Sequence, residues 1–210
     1  MEMKKGIMIT FEGITGSGKK THITMLADEL VKEKIEVTTI SFPNFETDIA
    51  RLTRRLPFDP YTLSLLYAAD RSFYQERIKA LLERGQVVIS DRYCYSNFAY
   101  QSAKGVPLEW LMEIEKNIIK PSIVFLIDIP VEDTVARIQQ SSIEDFTKKE
   151  ILDRIQSGRE TLEKTRENFL EIARANKEAK WFVIDGTKNI MEVHEQIWAI
   201  VKSEIEKLKD

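Results

Sequence analysis

A glycine-rich stretch near the amino terminus has the residue types and spacing that bind phosphate. The sequence "TFEGITGSGKKTH" places Gly13, Gly18 and Lys19 in register with the pattern G-x-x-x-x-G-K-[ST]. Gly13, Gly16 and Gly18 allow backbone N–H groups to turn inward around a phosphate chain. The helix that follows adds its positive amino-terminal end, and the Lys19 ammonium adds a point charge. The stretch therefore predicts a phosphate-binding loop rather than a turn of purely structural purpose.

Position 20 departs from this pattern, because it carries Lys20 where a serine or threonine hydroxyl would meet a metal ion. The helix dipole disfavours two adjacent lysines at a helix amino terminus, and a bound chain of phosphates would reverse that effect. We hypothesise that the Lys20 ammonium partly replaces Mg²⁺ or displaces the ion toward Asp91. Thr21 is an alternative source of the hydroxyl, but helix geometry turns it roughly 100° away from position 20.

A second group of candidate residues follows the apolar run "VVIS". The run predicts a buried strand with the Asp91 carboxylate and the Arg92 guanidinium at its carboxyl end. Beside a phosphate loop, Asp91 could bind Mg²⁺ directly or through water, and Arg92 could clamp a second phosphate. The alternative is an ordinary ion pair at the end of a strand. The neighbouring phosphate loop favours the functional interpretation.

Two helical segments carry side chains suited to reading a base. In "LLYAADRSF", Tyr67 and Arg71 are four residues apart and share a helix face. A ring there could stack on a base while the guanidinium reaches a carbonyl oxygen of that base. In the next predicted helix, Asn97, Tyr100 and Gln101 also fall on one face. Packing in the core is the alternative for both sets, and it is the commoner use of an aromatic ring at helical spacing.

An alternating pattern of strands and helices must position these residues. Apolar runs typical of buried strands occur at "GIMITFEG", "VTTISF", "QVVISDR", "SIVFLIDI" and "WFVIDG". Amphipathic stretches typical of helices lie between them, the longest from Tyr61 to Arg84. The alternation predicts an α/β fold with a parallel sheet and helices on both faces, and ligands of such sheets bind outside the carboxyl ends of the strands. We expect one domain over residues 1–210, with a small lid at about 139–150.

The composition narrows the classes of function. Over 210 residues, 43% apolar and 31% charged residues are typical of a globular protein. The net charge of −3 provides no global basic field to attract nucleic acid, so a phosphate ligand must be met by a local basic cluster. The apolar part of the amino-terminal segment ends at Glu12, before a signal-peptide core or a membrane span could form. We expect a cytoplasmic protein without nucleic-acid or membrane partners.

Taken together, the motifs resemble a known family. "FEGxxGSGK", "FP", "LLYAADR", "DRYxxSxxAYQ" and "WFVIDG", in this order and spacing, look like the thymidylate kinases, which are P-loop nucleoside monophosphate kinases. The resemblance covers roughly residues 6–201. It implies a three-layer P-loop fold with a five-stranded parallel sheet and a small lid. It also implies transfer of the ATP γ-phosphoryl group to dTMP in dTTP synthesis, use of Mg²⁺, and a homodimer with the Tyr61–Arg84 helix at its interface.

The resemblance also implies roles for individual residues. Tyr67 would stack on thymine, Arg71 and Asn97 would hydrogen-bond the base, and Tyr100 would crowd the sugar 2′ position. The residues implied in ATP binding are Gly13, Gly16, Ser17, Gly18, Lys19, Lys20, Thr21, Arg137, Thr187 and Lys188. Those implied in dTMP binding are Phe42, Pro43, Tyr67, Arg71, Arg92, Asn97, Tyr100 and Gln101. The catalytic set is Lys19, Lys20, Asp91 and Arg92, with Asp91 as the metal ligand.

The chain departs from the family pattern near the acceptor. Thr15 stands where family members usually carry Asp or Glu, and Asn44 and Phe45 follow "FP" where an acidic residue and an arginine are usual. Candidate replacements for that arginine are Arg51, Arg54 and Arg55, and candidate cations for a closing lid are Lys148, Lys149 and Arg154. The departures leave two alternatives open. One is a kinase for another nucleoside monophosphate, and the other is a catalytically weak nucleotide-binding protein.

Overall fold

The fold is built on a single parallel sheet. The computed structural model describes residues 5–141 and 144–209, apart from the side chains at 145–147, 154 and 209. The sheet has five parallel strands in the order β2-β3-β1-β4-β5. They are β1 (Ile7–Glu12), β2 (Val37–Ser41), β3 (Val87–Asp91), β4 (Ile123–Asp128) and β5 (Lys180–Asp185). The α/β fold class predicted from the alternating pattern is confirmed, and so is the five-stranded parallel sheet implied by the family resemblance.

Ten helices in the described part of the chain flank this sheet. They are α1 (Lys19–Lys32), α2 (Asp48–Arg55), α3 (Pro60–Phe73), α4 (Gln75–Glu83), α5 (Cys94–Ser102), α6 (Leu108–Ile114), α7 (Val131–Gln140), α8 (Asp145–Ser157), α9 (Arg159–Ala175) and α10 (Ile190–Lys209). Two apolar cores separate the helices from the sheet. Helices α1 and α10 cover one core, and α4 to α9 contribute to the other. The three layers predicted for the fold are therefore present.

Alternation along the strands explains the two cores. Ile7, Ile9 and Phe11 of β1 belong to the core beneath α1 and α10, whereas Met8 belongs to the other core. Successive side chains of a strand point to opposite faces, so a strand covered on both faces is largely apolar, and its polar side chains need buried partners. All six residues of β1 are buried, as this geometry requires.

The register of the central strands brings their carboxyl ends to one edge of the sheet. Phe11 of β1 pairs with Asp91 of β3, and Glu12 pairs with Leu126 of β4. The peptide N–H of Arg92 donates to the carbonyl oxygen of Phe11 at 2.9 Å, one residue beyond the end of β3. The glycine loop after β1 and the Asp91-Arg92 segment after β3 are therefore neighbours, as predicted.

The continuous helix predicted from Tyr61 to Arg84 is wrong, because the structure has two helices, α3 and α4, that meet at Tyr74. The Nε2 of Gln75 donates to the carbonyl oxygen of Arg71 at 2.8 Å, and the peptide N–H of Tyr74 donates to the same oxygen at 3.1 Å. In a continuous helix, the carbonyl oxygen of Arg71 would accept from the peptide N–H of Gln75, so these two bonds take the place of that helical hydrogen bond. The break falls three residues beyond Arg71.

Two other expectations from the sequence concern a lid and membrane-spanning segments. The lid expected at about 139–150 spans the end of α7 and the start of α8, and its residues 142 and 143 lie outside the described ranges. The lid therefore stays a prediction. In the described ranges, none of the helices combines the length and the apolar character needed to cross a membrane.

We expect Phe125→Ala to lower the free energy of unfolding by about 3–5 kcal/mol. The Phe125 ring is fully buried, and its centroid lies 5.2 Å from that of Phe11 and 5.7 Å from that of Phe182, so its removal leaves a cavity. Urea unfolding followed by circular dichroism measures the change. Val183→Ala in β5 is the control, because Val183 is 49% exposed and should lose only about 0.5 kcal/mol. Equal losses in the two variants would contradict this assignment of the core.

Candidate active site

The glycine loop between β1 and α1 has a backbone that only glycine adopts readily. Gly13, Gly16 and Gly18 have φ angles of 138°, 81° and 94°. A Cβ on Gly13 would lie 2.5 Å from the carbonyl oxygen of Ile127, and one on Gly16 would lie 2.8 Å from the Cγ2 of Thr134. Both conformation and space therefore require glycine at the first two positions.

Lys19 begins α1 and is buried beneath the glycine loop. Its Nζ donates to the carbonyl oxygens of Gly13 at 3.1 Å and Ile14 at 2.9 Å, and to the Oγ of Ser17 at 3.2 Å. Burial, and then the charge of Arg92, lower the pKa of Lys19 to about 7. An anion bound at the loop would restore the preference of this side chain for its charged form.

Arg92 connects the glycine loop to the helix that follows β3. Its Nη1 donates to the carbonyl oxygen of Gly13 at 3.1 Å and to the Oγ of Ser96 at 3.0 Å, and its Nη2 reaches the hydroxyl of Tyr100 at 3.5 Å. The backbone of Arg92 has a φ angle of 66°, which residues other than glycine rarely adopt. The strained backbone and the three bonds hold the guanidinium beside the loop.

A buried carboxylate at the end of β1 supports this arrangement. Glu12 accepts a hydrogen bond from the peptide N–H of Tyr93 at 2.8 Å and one from the Oγ of Ser96 at 2.6 Å. Burial raises the pKa of Glu12, while Ser96 and the charge of Arg92 act in the opposite direction. Glu12 thereby fixes the first turn after β3, from which Arg92 extends.

A cavity of about 540 Å³ opens beside the glycine loop, and we call it the donor cavity. Its walls include Gly16, Gly18, Lys19, Lys20, Thr21, Asp91, Arg92, Arg137 and Lys188. The Arg137 guanidinium donates to the carbonyl oxygens of Ser17, at 3.2 Å, and of Gly186. The cavity therefore brings together seven of the ten residues implied in ATP binding. Gly13, Ser17 and Thr187 are not part of its walls, and the hydroxyl of Thr187 donates to Asp185 at 2.6 Å.

A second cavity of about 250 Å³ lies on the other side of Arg92, and we call it the acceptor cavity. Its walls are Thr15, Phe42, Pro43, Tyr67, Arg71, Arg92, Ser96, Asn97, Tyr100, Gln101 and Lys104. All eight residues implied in dTMP binding are among them. Asn97, Tyr100 and Gln101 lie in α5, so their common helix face, predicted from spacing, does line a ligand-sized space.

The sequence reasoning missed one residue of this region, Glu115. Its carboxylate is buried just beyond the end of α6 and accepts hydrogen bonds from the guanidinium of Arg71 and from the Nδ2 of Asn97. A signal was present in the sequence, because helical spacing puts Glu115 on the same face as Leu111 and Ile118, which are both buried. A carboxylate on an apolar helix face needs a buried partner.

A third buried carboxylate, Asp70, holds the loop after β2 in place. Its two oxygens accept from the peptide N–H of Asn44 and from the Oγ1 of Thr47, each at 2.7 Å. Phe45 is covered by the guanidinium of Arg54, 3.4 Å from the ring centroid, and its carbonyl oxygen accepts from the Nε of Arg51 at 2.9 Å. These contacts fix the segment that carries the departure from the family pattern.

The sequence suggested several basic residues that could replace the arginine usually found after "FP" or act in a closing lid. None of those that the structure describes lines the acceptor cavity. Of the described residues, Arg51, Arg54 and Arg55 do not contribute to its walls. Lys148 and Lys149 line a different cavity, between α7 and α8, and the Arg154 side chain lies outside the described residues. Lys104, which was not singled out, does line the acceptor cavity, and burial lowers its pKa.

Asp91 is the residue of the site best suited to a divalent metal. Its Oδ1 is buried and has no hydrogen-bond partner among the described residues, although Asp91 lies in the wall of the donor cavity. A metal ion or a metal-bound water would satisfy that oxygen. The described residues contain no group of three or more His, Cys, Asp or Glu that could hold a metal alone. An ion at Asp91 would therefore take most of its ligands from phosphate oxygens and water.

The two cavities meet at Thr15 and Arg92, which line both. The peptide N–H of Thr15 donates to the hydroxyl of Tyr100 at 3.0 Å, so Thr15 is fixed at this junction. Two anionic ligands can lie end to end with the Arg92 cation between them. That is the arrangement required for direct phosphoryl transfer, in which the protein mainly positions the reactants and stabilises charge. The fold and the site thus define a P-loop phosphotransferase.

Comparison with known proteins identifies the family. The model of the family described as thymidylate kinase matches residues 11–197. A probable thymidylate kinase of Thermococcus kodakarensis is 37% identical over 94% of this chain and 98% of its own length. A thymidylate kinase of a Sulfurihydrogenibium species is 38% identical over 91% of this chain and 95% of its own, and a probable thymidylate kinase of Pyrococcus abyssi is 34% identical over 96% and 98%. The chain belongs to the thymidylate kinase family.

We expect nucleotide binding at pH 8 to take up close to one proton. With its pKa lowered to about 7, Lys19 is mostly neutral at pH 8 in the free protein, and a bound phosphate chain favours the charged form. Affinity for ADP should therefore fall as the pH rises above 7. Calorimetry of ADP binding at pH 8, in buffers of different ionisation enthalpy, measures the uptake.

Lys19→Met is the control for this effect, because it removes the titrating group. It should bind ADP more weakly and take up almost no proton. Equal proton uptake by the wild-type protein and the variant would contradict the assignment to Lys19.

Proposed function

We propose that the protein transfers the γ-phosphoryl group of ATP to dTMP, which yields dTDP and ADP. The observation that carries this proposal is the junction at Arg92 between the donor cavity and the acceptor cavity. Family membership supports ATP as the donor and dTMP as the acceptor. The product would serve the synthesis of dTTP.

In the proposed donor site, the glycine loop surrounds the phosphates of ATP. Gly16, Gly18 and the first turn of α1 contribute backbone N–H groups, and Lys19 contributes a charge to the β- and γ-phosphates. No side chain caps the amino terminus of α1, which supports this role of its N–H groups. Arg137 and Lys188 border the adenine side of the cavity. Thr187 belongs to the same side of the proposed site, although it does not line the cavity in this structure.

In the proposed acceptor site, the dTMP base lies against Tyr67. Arg71 and Asn97 hydrogen-bond the edge of thymine, and Gln101 adds a further polar group, whose Oε1 is buried without a partner. Tyr100 crowds the sugar 2′ position and so favours deoxyribose. Phe42 and Pro43 form the wall contributed by the loop after β2.

The chemical step in this proposal depends on cations rather than on a base. Arg92 holds the dTMP phosphate and faces the transferred group, where Lys19 and Lys20 also contribute charge. Positioning two substrates in line removes much of the entropic barrier to the reaction. Glu12 is already bonded to Tyr93 and Ser96, so it orients Arg92 rather than accepting a proton.

We propose that Mg²⁺ binds at Asp91 together with ATP phosphate oxygens. The unpartnered Oδ1 of Asp91 supports this position. When bound, the ion would neutralise charge on the phosphates. Lys20 is exposed and lines the donor cavity, so its ammonium is free to approach the phosphates at the position where the motif has a hydroxyl. We infer that Lys20 takes over part of the role of the ion.

We also propose that the protein is a cytoplasmic homodimer that pairs through α3 and α6. The support is a set of exposed apolar side chains on these two helices, Tyr61, Leu65, Phe73, Leu108 and Met112. The two helices are joined by an edge contact between the rings of Tyr61 and Trp110, with centroids 5.2 Å apart. Exposed apolar patches of this kind are typical of subunit interfaces.

The acceptor is tested by measuring ADP release with dTMP, dUMP, dCMP, dGMP and AMP. We expect the highest kcat/KM with dTMP, and a loss of roughly 100-fold or more in kcat for Arg92→Gln, because one well-placed cation contributes a few kcal/mol to such reactions. Arg174→Gln is the control, since Arg174 is exposed on α9. Faster turnover with another acceptor would identify a different nucleoside monophosphate kinase. Binding of dTMP and ATP without turnover would identify a nucleotide-binding protein and contradict the proposal.

The role of Lys20 is tested by Lys20→Thr, which restores the hydroxyl of the motif. We expect the variant to depend more steeply on Mg²⁺ concentration and to lose activity at low Mg²⁺, because it lacks the ammonium that compensates for the ion. Initial rates across a Mg²⁺ titration measure this. Lys177→Thr, at an exposed position in the loop after α9, is the control. An unchanged rate and an unchanged Mg²⁺ requirement would show that Lys20 has no such role.

A further inference from the structure

The buried Glu115 carboxylate contacts two residues of the acceptor cavity at once. It is 1% exposed. Its Oε2 accepts from the Nε of Arg71 at 2.6 Å, and its Oε1 accepts from the Nη2 of Arg71 and from the Nδ2 of Asn97, the latter at 2.8 Å. The side chains of Arg71 and Asn97 therefore lie side by side on one carboxylate, and both line the acceptor cavity.

These contacts determine which way the Asn97 amide faces. Its Nδ2 donates to Glu115 and also to the carbonyl oxygen of Ser64 at 3.2 Å. Both partners can only accept, so the amide cannot be turned over without placing two acceptors against its oxygen. The Oδ1 of Asn97 is buried and has no hydrogen-bond partner in the part of the chain that the structure describes. Asn97 can therefore meet a ligand only as an acceptor.

Arg71 is fixed by the same carboxylate. Among the described residues, its side-chain bonds use Nε and Nη2, so Nη1 is the nitrogen left for a ligand. A guanidinium can only donate. Toward a ligand, Arg71 therefore offers a donor group and Asn97 offers an acceptor, and Glu115 determines the orientation of both side chains.

We propose that Glu115 is a positioning residue that makes the acceptor cavity select the keto pyrimidines, thymine and uracil, against cytosine. This inference rests on the proposed function. Thymine and uracil present an O4 acceptor and an N3–H donor, which match Arg71 and Asn97. Cytosine presents the N4 amine as a donor and N3 as an acceptor, which oppose both of them. A site whose polar groups stay unpaired with the wrong ligand discriminates strongly.

A purely structural ion pair would have different consequences. It would contribute to folding, and its loss would affect dTMP and dCMP alike. In contrast, Glu115→Gln replaces one carboxylate oxygen by an NH₂ group, which is a donor. At the Oε2 position this group opposes the Nε of Arg71, and at the Oε1 position it opposes both the Nη2 of Arg71 and the Nδ2 of Asn97. Either Arg71 moves or the Asn97 amide turns over, and each change weakens the match to thymine.

The experiment compares kcat/KM for dTMP, dUMP and dCMP between the wild-type protein and Glu115→Gln. We expect the ratio of dTMP to dCMP to fall by about 10-fold or more, since one correctly oriented pair of hydrogen bonds discriminates by roughly that much. The KM for dTMP should rise, and the KM for ATP should stay within about 2-fold, because the donor cavity does not include these residues. Glu113→Gln is the control, because Glu113 lies two residues before Glu115, in α6, but is 65% exposed and paired with Lys116.

Each outcome decides the proposal. An unchanged ratio in folded Glu115→Gln, or an equal rise in the KM values for dTMP and ATP, would overturn it. If this variant does not fold, because Arg71 is left as an uncompensated buried charge, Glu115→Asp keeps the charge but shortens the side chain. The ratio must then fall in Glu115→Asp, and an unchanged ratio again overturns the proposal. A wild-type protein that does not favour dTMP over dCMP would instead contradict the proposed function.

Discussion

One backbone oxygen, the carbonyl of Gly13, accepts hydrogen bonds from two cations, the buried Lys19 and the half-buried Arg92, each at 3.1 Å. Two positive charges so close together, away from bulk water, oppose each other, and burial with this repulsion lowers the pKa of Lys19 to about 7. A phosphate chain is the ligand that relieves this opposition. The positive φ angle of Gly13, and the 2.5 Å that would separate a Cβ at this position from the carbonyl oxygen of Ile127, restrict the position to glycine.

The rest of the site can be understood from this contact. The register of β1 and β3 brings Arg92 next to the loop, and Glu12 fixes the turn from which Arg92 extends. From Arg92, α5 continues along the acceptor cavity with Asn97, Tyr100 and Gln101 on one face. In the proposed function, the sheet therefore positions the phosphates, and the helices that follow the strands position the base. There, the buried Glu115 carboxylate would do for the base what Glu12 does for the phosphate.

Much of this organisation could be predicted from the sequence, because it depends on local patterns. Apolar runs marked all five strands, and the glycine spacing marked the loop. Helical spacing correctly grouped Asn97 with Tyr100 and Gln101. Three features depend on particular side-chain contacts, and the periodic pattern of apolar residues does not contain them. They are the break at Tyr74, the anchoring of Arg71 by Glu115, which lies 44 positions further on, and the stacking of Arg54 on Phe45. The positions of Lys20 and Thr15 were visible in the sequence, but their surroundings were not.

The central claim is that two nucleotides bind end to end and meet at Arg92. A bisubstrate analogue with thymidine and adenosine joined through their 5′ positions by a chain of five phosphates tests it most directly, in a calorimetric titration beside ATP and dTMP alone. If the cavities are joined as described, the analogue should bind on the order of 100-fold more tightly than either nucleotide, because the second half binds intramolecularly. It should also compete with both nucleotides. An analogue that binds no more tightly than ATP, or that leaves the dTMP site accessible, would contradict the account.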